Sequence, residues 1–212
     1  MRIHGVTWIL VMLGVLVLSP FLVAHTAYSE CLTLELRDAS RWYSDREIEL
    51  VLHGGDRLYQ TLLGDTGIAQ SLRANFAQPV PSADILPGVK IPSHLVSYAD
   101  YYLSGYWSAL FDNIRLLCIR LAHWWRWVLY LLPFVAAIVF DGVMTRKAKL
   151  ASFRYTSPTV YNLAWHLIIG ILCFSLVYFS LALPISVFYY PVMLTGVGFL
   201  VRLVLANIQH SA

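Results

Sequence analysis

Four stretches of this chain, each roughly 20 residues long, carry almost no charge, and that is the length a helix needs to cross the apolar core of a bilayer. Lipid offers no partner for a backbone amide, so a segment crossing it must satisfy its amides internally. Composition decides that these are spans and not ordinary core helices. Of the 212 residues, 58% are hydrophobic and 13% charged, with mean hydropathy +0.64, whereas soluble domains are about one quarter charged. A disordered chain, a disulfide scaffold and a free cytosolic enzyme are all disfavoured. The net charge of +3 is too small to argue for nucleic-acid binding.

The first span is expected from Gly5 to Val23. Arg2 precedes it, so a signal peptide is the alternative, but Ala24-His25-Thr26-Ala27 fits a cleavage site poorly and an uncleaved anchor is preferred. The second runs from Trp127 to Met144, introduced by Trp124, Trp125 and Arg126, tryptophans being enriched at headgroup level. The third covers Leu163–Leu183 and the fourth Ile185–Leu205, joined by a tight turn at Pro184. Arg146, Lys147, Lys149 and Arg154 follow the second span, and with Arg2 and Arg202 they place both termini and this loop in the cytoplasm. Residues 28–126 then lie outside, with eleven acids and nine bases, the near-balance of a translocated segment.

The expected fold class is therefore an all-α integral membrane protein of four transmembrane helices, with a mainly helical periplasmic domain between helices one and two. Its parts are residues 1–27 (first helix), 28–126 (outside domain), 127–144 (second helix), 145–162 (basic cytoplasmic loop) and 163–212 (helical hairpin). Inside 28–126, Ile48, Leu52, Leu58, Leu62, Ile68, Leu72 and Phe76 recur at helical spacing, punctuated by Gly54-Gly55 and Gly64-Asp65-Thr66-Gly67. His53-Gly54-Gly55-Asp56 reads as a helix-breaking turn, and Gln78 to Pro92 as an extended proline-rich connector. Next comes a seam spaced four, three, four, three: Leu103, Trp107, Leu110, Ile114, Leu117, Leu121, Trp124 and Val128. It predicts one long helix entering the second span, packed either on the domain's own helices or on a second copy or partner.

Chemistry-bearing motifs are missing. The sequence contains no GxxxxGK[ST], HExxH, GxSxG or CxxC, and its seven histidines show no ligand-like spacing. No cofactor, metal or catalytic activity is expected. His166, near the start of the third span, is either an interfacial or interhelical histidine or a proton-relay group. A relay needs a second intramembrane ionisable group, and Asp141 and Arg202 fall near span ends. Cys31 and Cys118 both lie outside, where a bridge and two unpaired buried thiols are the alternatives, the second preferred. Gly170, Gly196 and Gly198 permit close helix approach.

One string departs from this plain pattern. Asp141-Gly142 leads to Arg146 and Lys149, and then Tyr155, Ser157, Val160 and Tyr161 re-enter the membrane. Read by itself this is a basic loop attracted to anionic lipid headgroups. The D-G-x-x-x-R-x-x-(K/R) exit followed by (Y/F)-x-S-x-x-V-Y resembles the cytoplasmic signature of small inner-membrane proteins of integrating conjugative elements and conjugative plasmids, the TraJ-type companions of the VirD4-like coupling ATPase. Pro158 and Asn162 depart from that pattern. The family layout is similar over nearly the whole chain. The resemblance implies a non-catalytic accessory subunit of conjugative type IV secretion that scaffolds or anchors the coupling ATPase. It implies contact through Asp141, Arg146, Lys147, Lys149, Arg154, Tyr155, Ser157 and Tyr161. Lipids and a further copy are other partners, and direct nucleic-acid binding is not expected. The competing readings are a small transporter or channel subunit, and an exclusion or sensor protein.

Overall fold

The computed structural model describes residues 2–23, 25–68, 70–71, 93–153 and 155–208. The connector from Gln78 to Pro92, Leu72, Phe76 and Arg154 lie outside these residues, as does the side chain of Leu103. Every regular element among the described residues is helical: α1 (Arg2–Leu22), α2 (His25–Ala39), α3 (Asp45–Tyr59) with a π turn (Gln60–Gly64), α4 (Ser93–Tyr130), α5 (Leu132–Ala151), α6 (Pro158–Phe179) and α7 (Tyr189–Asn207). Two of these, α6 and α7, are by themselves long and apolar enough to cross a membrane. The number rises to as many as four if each of two bent pairs forms one span. These pairs are Leu13–Leu22 with Thr26–Ala39, bent by 109°, and Gly105–Tyr130 with Leu132–Ala151, bent by 60°.

The expected unbroken helix into the second span is therefore corrected: it bends between α4 and α5. Pro133 sits in the first turn of α5, where its missing N–H and its ring prevent the preceding helix from continuing straight. Val135 resumes the ladder by donating to Leu131 O at 2.8 Å.

The chain divides into two compact units, residues 1–122 with 179–184, and residues 123–178 with 185–212. In the first, α4 is the axial element. Its buried positions Ala109, Asn113, Leu116 and Arg120 repeat at heptad spacing, and Phe111, Cys118 and Ile119 are buried beside them. The apolar seam expected to form the packing face is offset by one residue, and Trp107, Leu110, Ile114, Leu117 and Leu121 are each half-buried. Polar demand explains the offset. Asn113 donates to Ser19 Oγ at 2.8 Å, and Ser19 also accepts from Tyr28, so burial follows the groups that need partners.

The expected turn at His53-Gly54-Gly55-Asp56 is also corrected. These residues continue α3, whose N-cap is Ser44, with its N–H and hydroxyl both donating to Glu47 Oε2 at 2.9 Å. The two glycines serve close approach. A Cβ on Gly55 would lie 2.5 Å from Ile119 Cα, and one on Gly54 3.3 Å from Ala122 Cβ. Beside this crossing Arg115 grips Asp56 through two bonds of 2.8 and 3.2 Å. Gly64, the last residue of the π turn, and Gly67, at φ +68°, do punctuate the chain. Cys31 and Cys118 are buried free thiols.

In the second unit, α5 packs on α7 through Gly142, whose Cβ would come within 3.1–3.2 Å of Leu205 and Arg202, and through Ile138 against Gly198. The pair α6 and α7 is antiparallel. Ala164 and Ile168 meet Val204 at one end, and Ser175 shares a 2.8 Å hydrogen bond with Tyr189 at the other. Here the expected tight turn at Pro184 gives way to a connector of residues 180–188. Arg120 accounts for much of that unwinding, as described next.

Candidate functional site

Two polar clusters organise the molecule. The first is centred on Arg120, which has 0% exposure. An arginine buried this deeply needs an acceptor for each of its five N–H groups. Nε and Nη2 donate to Glu35 on α2, at 3.1 and 2.5 Å, and Nη2 also reaches Cys31 Sγ. Nη1 donates to the carbonyls of Phe179 and Leu181, and Nη2 to that of Leu183, all at 2.7 Å. Phe179 is the last residue of α6, so the guanidinium satisfies a carbonyl the helix leaves orphaned and complements its negative end. Residues 180–183 lie outside the helix, and the carbonyls of Leu181 and Leu183 turn to the same cation. Sequence reading missed this cluster and counted Arg120 only among nine outside bases. A signal was present: Arg120 interrupts the apolar run Leu116-Leu117-Cys118-Ile119 and Leu121-Ala122.

The second cluster gathers the ends of α5 and α7 with the start of α6, and it contains most of the sequence-expected contact residues. Asp141 pairs with Arg202. α5 runs on to Ala151, so Arg146, Lys147 and Lys149 lie on helix and not in loop. Lys149 Nζ donates to Asn207 Oδ1 at 2.9 Å and to Ala206 O at 3.3 Å. The same Asn207 oxygen accepts the Ser157 N–H at 3.3 Å, while its Nδ2 donates to Leu203 O. Ser157 Oγ accepts the Val160 N–H at 3.4 Å, a cap on the first turn of α6. Tyr161 packs against Ala164, Ile168 and Val204. Lys149, Ser157 and Tyr161 therefore build the turn, and Asn207, not singled out from the sequence, is its hub. Arg146 is half-buried, and Lys147 is exposed.

What this scaffold presents outward is aromatic. Phe153 is 98% exposed and Tyr155 78%. Phe153 also has φ +50°, and no other described non-glycine residue has a positive φ. It follows the end of α5, with its N–H on Leu150 O at 3.3 Å. Glycine is the usual occupant of that left-handed position, where an L side chain costs about 1–2 kcal/mol. A fully exposed phenylalanine thus holds a strained position that its own fold gives it no reason to keep. Among the described residues no group of three His, Cys, Asp or Glu side chains could hold a metal ion.

The family described as IncC plasmid conjugative DNA transfer protein DtrJ-like matches residues 23–211. The chain belongs to that family. The match runs from the turn after α1 through both polar clusters, and it carries the conjugation role expected from the Asp141-to-Tyr161 string. A role in conjugative DNA transfer follows for this DtrJ-like protein, together with two to four helical segments able to cross a membrane. No curated protein and no solved structure matches it.

Proposed function

We propose that this DtrJ-like protein is a non-catalytic inner-membrane scaffold of a conjugative type IV secretion system, holding the VirD4-like coupling ATPase near the channel. In this reading the first span ends by residue 27 and the second covers residues 127–144, and with α6 and α7 they give four spans with both termini cytoplasmic and residues 28–126 periplasmic. The cytoplasmic turn is the contact, formed by Asp141, Arg146, Lys147, Lys149, Arg154, Tyr155, Ser157 and Tyr161, with Phe153 added. The observation that carries the proposal is the strained, exposed Phe153 beside exposed Tyr155, on a turn fixed from within by Asn207. Side chains kept at a conformational cost on a rigid platform support contact with another molecule.

The topology is checked by reporter fusions. Alkaline phosphatase is expected to be active at Ser82 and silent at Thr145 and Ala212; activity at Thr145 would sink this arrangement.

The contact is checked by Phe153→Gly combined with Tyr155→Ser. Glycine relieves the left-handed strain, by about 1 kcal/mol, so this variant is expected to fold at least as well as the parent. Ser157 and Tyr161 are poorer probes, because one caps α6 and the other packs in its core. From donor cells carrying the whole element, co-purification of the coupling ATPase is expected to fall by about tenfold or more, as for loss of an aromatic hot spot. Abundance and membrane insertion should not change. Full co-purification by the double variant would leave these aromatics as interfacial anchors in lipid.

A further inference from the structure

Among the described residues, Arg146 is a cation without an anion: its Nε is buried and meets no acceptor. Arg146 stands four residues after Gly142 and three before Lys149, so the three share one face of α5. Gly142 packs on Arg202 and Leu205, and Lys149 reaches Ala206 and Asn207, so that face is turned to the end of α7. Acceptors there are already engaged. Ala206 O and Asn207 Oδ1 hold Lys149, and Leu203 O holds Asn207 Nδ2. A donor shut away without a partner is unfavourable, and a cationic one more so.

No carboxylate of the second compact unit, residues 123–178 with 185–212, is left to meet it. From His123 to Ala212 the sequence carries one acidic residue, Asp141, against Arg126, Arg146, Lys147, Lys149, Arg154 and Arg202. Asp141 is paired with Arg202. The anion for Arg146 must therefore come from outside this unit. Depth points to its source. With the second span ending at Met144, Arg146 and Lys149 follow it by about 3 and 8 Å along the axis of α5. The headgroup layer is roughly 5–8 Å thick on each side of the hydrocarbon. Both cations thus stand at the level of lipid phosphates.

We infer that Arg146 and Lys149 hold the phosphate of one anionic phospholipid of the cytoplasmic leaflet. Arg146 as a whole is half-buried, so its guanidinium is pinned at Nε and takes phosphate oxygens at its outer edge, in charge-assisted bonds. Lys149 is held in place by Asn207, and exposed Lys147 adds a third positive charge nearby. That charge repels the ammonium of a zwitterionic headgroup, which selects an anionic one. A diffuse basic loop draws lipid through each of its charges about equally. Here one arginine has a fixed place and lacks a partner in it. The inference rests on the proposed topology for its leaflet and its depth, and needs neither the coupling ATPase nor Phe153 and Tyr155.

The test is native mass spectrometry of the full chain, released from bilayers of equal parts phosphatidylglycerol, phosphatidylethanolamine and phosphatidylcholine. The parent is expected to retain one phosphatidylglycerol per chain. Arg146→Gln should lower that retention by about tenfold, for loss of a charge-assisted contact, and Arg146→Lys should restore part of it. Lys147→Gln removes the same charge from an exposed position and should lower retention by about twofold at most. Melting gives a second reading. In phosphatidylcholine alone Arg146→Gln should match the parent, and added phosphatidylglycerol should raise the midpoint of the parent only. Equal losses in the Arg146 and Lys147 variants would reduce the site to diffuse attraction and overturn the inference. Equal retention of phosphatidylethanolamine would overturn it too, as would a melting loss in Arg146→Gln that no lipid changes, the mark of an acceptor within the chain. Undiminished lipid retention by Arg146→Gln, with loss of ATPase co-purification, would assign the guanidinium to a protein carboxylate instead. Because the chain is assayed alone, failure here leaves the ATPase contact standing, and the reporter fusion at Thr145 checks the leaflet separately.

Discussion

Replacing Arg120 by methionine is expected to leave almost no folded protein. The substitution removes the cation of a buried pair, which by itself costs about 3–5 kcal/mol. It also strips donors from the carbonyls of Phe179, Leu181 and Leu183, at about 1–3 kcal/mol for each one left buried. Together these approach the whole stability of a domain, about 5–15 kcal/mol. Arg120→Lys should rescue little, because one ammonium with three donors cannot serve Glu35 and three carbonyls at once. Glu35→Gln should be milder, since the amide oxygen still accepts from the guanidinium. The expected order of damage is Arg120→Met, then Arg120→Lys, then Glu35→Gln. Cellular abundance, melting in detergent and protease cleavage within residues 179–184 report it. A methionine variant that accumulates and melts like the parent would show that water reaches the cluster.

The next largest effect is expected at Gly55. The β-carbon of Gly55→Ala would meet the Ile119 backbone, 2.5 Å from Cα and 2.9 Å from N. Backbone cannot step aside as a side-chain tip can, so α3 and α4 must separate. Overpacking of this kind costs about 1–3 kcal/mol or more, and the separation also loosens the Arg115–Asp56 pair beside the crossing. The gain in helix propensity, about 1 kcal/mol, offsets only part. Gly54→Ala, one residue away, faces Ala122 Cβ at 3.3 Å and should be nearly neutral. Melting of the two single variants side by side tests the crossing: equal stability would mean that α3 does not pack so closely on α4.

Much of the helical content was legible because apolar periodicity and length carry it. The end of α6 and the start of α7 were displaced by a few residues for a physical reason. Hydropathy continues through Phe179-Ser180-Leu181-Ala182-Leu183, but the backbone there leaves the helix to feed its carbonyls to an arginine 59–63 residues earlier. Nothing local in that apolar stretch announces a distant cation. The seam on α4 misled for a related reason. Asn113 and Arg120 stand at heptad spacing on the most buried stripe, and side chains of their kind usually mark a wet face. Around the turn between α5 and α6, the sequence singled out the string from Asp141 to Tyr161. Its residues could not be sorted from sequence into those that build the turn and those that show outward, because Asn207 does the sorting and comes 46 residues after Tyr161. Phe153 carried no warning either, since a positive φ on phenylalanine is a property of the folded backbone alone.

The position of residues 179–184 also sets an order of events on the ribosome. Everything else in the first compact unit has been synthesised by Ala122. Arg120 nevertheless stays without three of its acceptors until Leu183 has been added, some sixty residues later. The early unit therefore includes a piece of chain made only after α5 and α6. A chain stopped before Phe179 has Glu35 and Cys31 for this guanidinium but lacks the three carbonyls that complete its shell.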